Sequence, residues 1–161
     1  MSKVSPLVRD VMTREVLTVS RGTTLSELLK KFQKFHTFPL VPVVEEDGRL
    51  VGTILFEDLV EIFQAKGMSL IKGVPFLDRD EIDIFNLDID EESGVLFIVE
   101  DLLKRKFLYL NDDLPLEKAY TAMKLNSVDT LPVIDKEGKL VGMLGIFDIL
   151  RAIFKEKGII K

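Results

Sequence analysis

The chain has 161 residues, 47% of them hydrophobic, with 22 basic and 27 acidic side chains, no cysteine and one histidine, His36. That inventory suits one compact domain or two small fused units, and it excludes zinc fingers, iron–sulfur clusters, thiolate nucleophiles and His-rich metal sites. A net charge of −5 argues against a nucleic-acid binder, and with no apolar run near the ~18 residues that span a bilayer and no signal peptide at Met1–Pro6, the expectation is a cytoplasmic protein with no membrane insertion.

Val16 to Val19 form a short β-branched run and read as a strand. Ser20-Arg21-Gly22-Thr23-Thr24 carry turn and N-cap chemistry, and Leu25, Leu28, Leu29 and Phe32 keep helical spacing behind them. Val41 to Val44 and Leu50 to Ile54 are the arms of a hairpin. Glu46-Asp47-Gly48 closes it, with the glycine that a tight turn of positive φ requires. A helix follows from near Glu57, burying Leu59, Ile62 and Phe63, and ends near Gln64. Residues 65–98 are an insert, opened by Ala65-Lys66-Gly67 and Lys72-Gly73-Val74-Pro75. From Asp78 to Glu92 it holds eight acidic residues against Arg79 alone, with Ile82, Ile84, Leu87 and Ile89 threaded among them. That mixture reads as a packed amphipathic segment rather than an acidic tail. Asp78, Asp80, Asp83, Asp88 and Asp90 lack the spacing and central glycine of a calcium loop, so no metal site is assigned. A helix-like stretch from Ser93 through Leu103 follows. Then the same order returns: a strand at Phe107 to Leu110, a turn at Asn111 to Pro115, and a helix on Leu116, Ala119, Tyr120 and Met123. The second hairpin joins Leu131–Ile134 to Leu140–Leu144 through Lys136-Glu137-Gly138. A last helix from near Phe147 buries Ile149, Leu150 and Ile153.

This return is a duplication. At an offset of 91, Asp10, Arg14, Leu17 and Leu25 meet Asp101, Arg105, Leu108 and Leu116. One gap later, at an offset of 90, Pro42-Val43, Gly48, Leu50-Val51-Gly52 and Asp58 meet Pro132-Val133, Gly138, Leu140-Val141-Gly142 and Asp148. Eleven identities in order, with one gap, are more than composition supplies. A single unit of about 55 residues would be marginal alone, and two copies can cover each other's sheets. The expected fold class is α+β, two tandem β-α-β-β-α units packed with pseudo-twofold symmetry. Clefts along such an interface are where small-molecule sites tend to lie.

The order of elements, the Pro-Val-Val...Gly-x-Leu-Val-Gly hairpin and the trailing aspartate resemble a CBS domain, and two of them make a CBS pair, or Bateman module. The units are 8–64 and 99–154, with 65–98 as the acidic insert between them. The resemblance implies a stand-alone regulatory module, not an enzyme, that forms homodimers and acts on an unknown regulated protein. It requires no cofactor and implies a bound adenosyl compound: AMP, ADP, ATP, adenosine or S-adenosylmethionine. Relatives carry Gly, hydrophobic, any, Thr or Ser, any, any, Asp at the strand-to-helix junction. The hydroxyl there meets ribose or phosphate and the Asp takes the ribose hydroxyls. Here the two copies read Gly52-Thr53-Ile54-Leu55-Phe56-Glu57-Asp58 and Gly142-Met143-Leu144-Gly145-Ile146-Phe147-Asp148, each keeping the Gly and Asp and losing the hydroxyl.

By position, the resemblance places Asp148 and Gly145 opposite Val16, Leu17, Phe38, Leu40 and Pro42, and Asp58 and Leu55 opposite Phe107, Leu108, Val128, Thr130 and Pro132. Gly145 leaves room and a bare N–H at a helix start, whereas Leu55 adds bulk, so the Asp148 site is the preferred one. The Asp carboxylates also suit the first turn of a helix whatever they bind. An arginine that some relatives carry near Leu40 and Thr130 is absent, which weighs against ATP. Asp148→Ala is expected to weaken binding with the fold intact. The alternative is a ligand-free dimerisation or scaffold module with degenerate sites. His36 has no nucleophile or ligand partner in the sequence and reads as a packed or surface residue.

Overall fold

The computed structural model describes residues 4–33, 38–60 and 97–161. His36, the acidic insert with its five aspartates, and most of the helix expected after Glu57 lie outside these residues. The described elements are α1 (Val8–Val11), α2 (Leu25–Phe32), β1 (Leu40–Val44), β2 (Leu50–Leu55), α3 (its described part being 56–60), α4 (Val99–Leu102), β3 (Leu110–Asn111), α5 (Leu116–Leu125), β4 (Thr130–Ile134), β5 (Leu140–Gly145) and α6 (Ile146–Glu156).

Each half is built on its hairpin. β1 pairs antiparallel with β2 from Leu40↔Leu55 to Val44↔Leu50, and β4 with β5 from Thr130↔Gly145 to Ile134↔Leu140, each with a register shift just before its last pair. Gly48 and Gly138 sit in the turns at φ +86° and +79°, the left-handed region that a side chain disfavours. β3 adds parallel to β4, and Val19 makes the equivalent parallel bridge to Val43. Of the expected strand Val16 to Val19, only Val19 makes a bridge. α2 starts at a reciprocal cap: Thr24 Oγ1 accepts from Glu27 N at 3.1 Å, and Glu27 Oε2 accepts from Thr24 N at 2.9 Å.

The packing crosses the repeat boundary. Val8 and Met12, from the front of the first repeat, are buried with Leu116, Met123, Val133 and Leu144 of the second. Val99, from the front of the second, is buried with Leu25, Leu28, Val43 and Ile54 of the first. Val8 N donates to Leu114 O at 2.9 Å, and Val99 N donates to Thr23 O at 2.8 Å. Each core is therefore closed by a segment from the other repeat. The two hairpin turns also pair, Leu50 N donating to Gly138 O at 3.1 Å and Leu140 N to Gly48 O at 3.0 Å. These mutual ties are the pseudo-twofold packing that the duplication implies.

The exchanged segments explain the glycine that ends each Leu-Val-Gly motif. Thr13 forms a backbone pair with Met143, and Lys104 with Thr53. A Cβ on Gly142 would lie 2.7 Å from Thr13 O, and one on Gly52 would lie 2.9 Å from Lys104 O. Only a bare Cα lets the crossing backbone lie this close to the strand. Among the described residues no helix is long and apolar enough to cross a membrane.

Candidate functional site

A cavity of about 470 Å³ opens between the halves. Its walls come from β1 and β2 (Leu40, Thr53, Leu55), from the start of α3, from the crossing segment (Lys104, Lys106, Phe107, Leu108), and from the front of β4 (Val128, Asp129, Thr130, Pro132). All six residues placed around Asp58 by position in the sequence thus converge: Leu55, Phe107, Leu108, Val128, Thr130 and Pro132. Asp58 itself is joined to the wall through Lys104, whose Nζ is 2.9 Å from Asp58 Oδ2. The volume falls within the range of small-molecule sites, and the apolar faces of Phe107, Leu108 and Val128 suit a flat base.

A hydroxyl lies close to Leu55 on the same strand. Thr53 lies two residues upstream on β2, and both residues line the cavity. Because side chains repeat every two residues along a strand, a shift of two keeps the hydroxyl on the same face. Thr130 supplies a second hydroxyl from the opposite half. Thr53, Lys104 and Lys106 are among the lining residues that sequence reasoning missed. The signal that could have found Lys104 is the duplication: at an offset of 91 it lies over Thr13, immediately before the matched Arg14 and Arg105.

Of the residues assigned to the Asp148 site, Gly145 and Phe38 come together with the aspartate. Asp148 is 3% exposed, and its carboxylate already accepts from Gly145 N at 2.8 Å, Thr13 Oγ1 at 2.9 Å and Arg151 Nη2 at 2.5 Å. Gly145 and Asp148 are therefore together, as cap and third residue of α6. Phe38 lies over Gly145, where an added Cβ would be 3.3 Å from its ring. Leu17 instead packs against the first core, Val16 is half-buried, Pro42 is fully buried in β1, and Leu40 faces the Asp58-side cavity. A separate hollow of about 450 Å³ beside Asp148 is lined by Thr13, Arg151 and Lys155, not by these residues. Among the described residues no group of three or more acids or histidines is arranged to hold a metal.

Residues 8–65 and 99–155 each match the CBS domain family. The chain belongs to that family, as a tandem pair. A CBS domain-containing protein of Dictyostelium discoideum is 30% identical over 149 residues, 92% of this chain and 92% of that protein. CBSX2, a CBS-pair protein from Arabidopsis thaliana, superposes with a TM-score of 0.68 at 24% identity, covering 95% of this chain and 97% of that one. The cytosolic domain of the Mg²⁺ channel MgtE, solved in complex with ATP, gives 0.63 at 25% identity over 88% of this chain and 46% of that one. Enzymes also occur among the relatives, such as homoserine O-acetyltransferase of Methanosarcina acetivorans, but the match spans only 20% of that protein.

Proposed function

We propose that this CBS pair is a regulatory module that takes an adenosyl compound into the cavity between its halves. The observation that carries the reading is the cavity itself, about 470 Å³ and walled by residues of both repeats, one of which, Lys104, is ion-paired to Asp58. A ligand held from both sides favours the arrangement in which the halves are closed on it, so its binding shifts a population that a partner protein can read. The ATP bound by the MgtE cytosolic domain supports the adenosyl class, and CBSX2 has been solved with AMP. Asp58, Leu55, Phe107, Leu108, Val128, Thr130 and Pro132 are the proposed contacts. The Asp58 side is favoured over Asp148, whose carboxylate is already used three times.

Thermal unfolding against AMP, ADP, ATP, adenosine and S-adenosylmethionine at about 1 mM tests this. A ligand with a dissociation constant near 10 μM stabilises by about 2.7 kcal/mol. For a chain of this size that raises the midpoint by roughly 5–10 °C. The rise should vanish in Leu55→Trp, which fills the cavity. A flat panel, or a rise untouched by Leu55→Trp, rejects the site.

A second feature favours self-association. Phe147, Leu150, Ile153 and Phe154 recur at helical spacing along α6 and are exposed, Phe147 at 74%. A contiguous apolar face of this kind fits a homodimer contact. It serves the sensor and the ligand-free scaffold alike; the hollow with its hydroxyls and lysines is what favours the sensor.

A further inference from the structure

The residue that crosses onto each junction aspartate differs between the halves. Thr13 gives Asp148 a hydroxyl, and Lys104, in register with it 91 residues later, gives Asp58 an ammonium. Both crossing residues are fixed by a backbone pair to a hairpin strand, Thr13 N donating to Met143 O at 2.9 Å and Lys104 N to Thr53 O at 2.9 Å. Thr13 can offer Asp148 only its short, fixed side chain. Lys104 has a fixed backbone, but its stem has four rotatable bonds and its side chain is half exposed, so the ammonium can change partner without moving the wall.

We propose that Lys104 makes this cavity selective for an adenosyl ligand with an anionic 5′ substituent, a phosphate ester, over a neutral or cationic one; this rests on the adenosyl reading above. A ribose diol that donates to Asp58 competes with Lys104 for the same carboxylate oxygens. The displaced ammonium then needs another acceptor. A phosphate supplies one, and the resulting charge-assisted bond is of the stronger kind. Adenosine leaves the ammonium to water, and the sulfonium of S-adenosylmethionine brings a like charge to it. The lining also holds Lys106 and two exposed acids, Glu57 and Asp129, so its net charge decides nothing. The discrimination falls on the one cation whose partner the ligand takes. In the other half the crossing residue is neutral Thr13, and the cation on Asp148 is Arg151 of the same helix rather than a residue of the crossing segment.

Calorimetric titration with AMP, adenosine and S-adenosylmethionine, on the wild type, Lys104→Met and Lys104→Arg, tests the proposal. The wild type should prefer AMP to adenosine by about tenfold or more, the scale of one charge-assisted bond. Lys104→Met should lose about tenfold for AMP and hold its affinity for adenosine, so that the ratio falls to near one. Lys104→Arg should keep the preference. Wild-type protein that binds adenosine or S-adenosylmethionine as tightly as AMP overturns the role of Lys104, as does an unchanged ratio in Lys104→Met. In both cases the adenosyl reading stands. No binding of any of the three overturns both.

Discussion

Asp148 accepts hydrogen bonds from the backbone of its own helix start, from a side chain one turn on, and from Thr13 of the other repeat. Removing the carboxylate would leave the buried Gly145 N–H and the part-buried Thr13 hydroxyl without their acceptor, at a cost of about 1–3 kcal/mol for each such group that water cannot reach. Asp148→Ala should therefore lower the unfolding midpoint by roughly 5–10 °C with no ligand present. Asp148→Asn, which keeps an acceptor, should lose less than half of that. Differential scanning calorimetry of the two variants decides it, and an unchanged midpoint for the alanine variant would remove Asp148 from the structural role. The substitution is thus not the clean probe of binding that the sequence offers. Both aspartates were legible as repeated junction residues. Their partners were not, because Thr13 and Lys104 come from the opposite repeat, and no local pattern marks a contact 135 residues apart as in Thr13–Asp148.

Hairpins and long helices were legible because their signals are local: turn glycines flanked by apolar runs, and helical spacing along α2, α5 and α6. The four-residue helix α1 was not read as such, being too short to show a period, whereas α4 falls inside the helix-like stretch read from Ser93 through Leu103. Yet these short segments carry the exchange between halves, and the glycines beneath them hold it in place. Gly142→Ala would push a Cβ to 2.7 Å from Thr13 O and 2.8 Å from Met12 Sδ. Gly52→Ala would meet Leu103 Cδ1 at 2.6 Å and Lys104 O at 2.9 Å. Because backbone stands in the way in both cases, each should cost about 1–3 kcal/mol. Gly22→Ala is the control: nothing lies within 4 Å of its added Cβ, so it should not destabilise and should add about 0.4–1 kcal/mol. Equal urea midpoints for all three variants would show that the crossing is looser than these distances allow. The Gly52 variant should also weaken ligand binding, since it displaces the segment that bears Lys104 and Phe107, whereas the Gly142 variant should not.

The two cores depend on each other's front segments, so the pair is expected to unfold as one unit and to present its surfaces as one body. An apolar part of that surface is on α6, where Phe147 and Ile153 are 74% and 45% exposed while Ile149 of the same helix is buried in the second core. One helix therefore has an inner face that holds its own half and an outer face with no partner in the chain among the described residues. Leu150 and its counterpart Val60 are both exposed, which extends the same feature to the first half. A twofold contact that uses this patch on both copies would bury it without open-ended assembly. Sedimentation at micromolar concentration should give a dimer, and Phe147→Glu with Ile153→Glu should give a monomer. Because both side chains are already exposed, the double variant should keep its unfolding midpoint within a few degrees, apart from the part that dimerisation contributes by mass action. Neither residue lines the cavity between the halves, so the monomer should still titrate with its ligand at wild-type affinity. A monomeric wild type rejects the dimer, and a double variant that remains a dimer places the contact elsewhere. A monomer that loses its ligand would instead tie sensing to assembly.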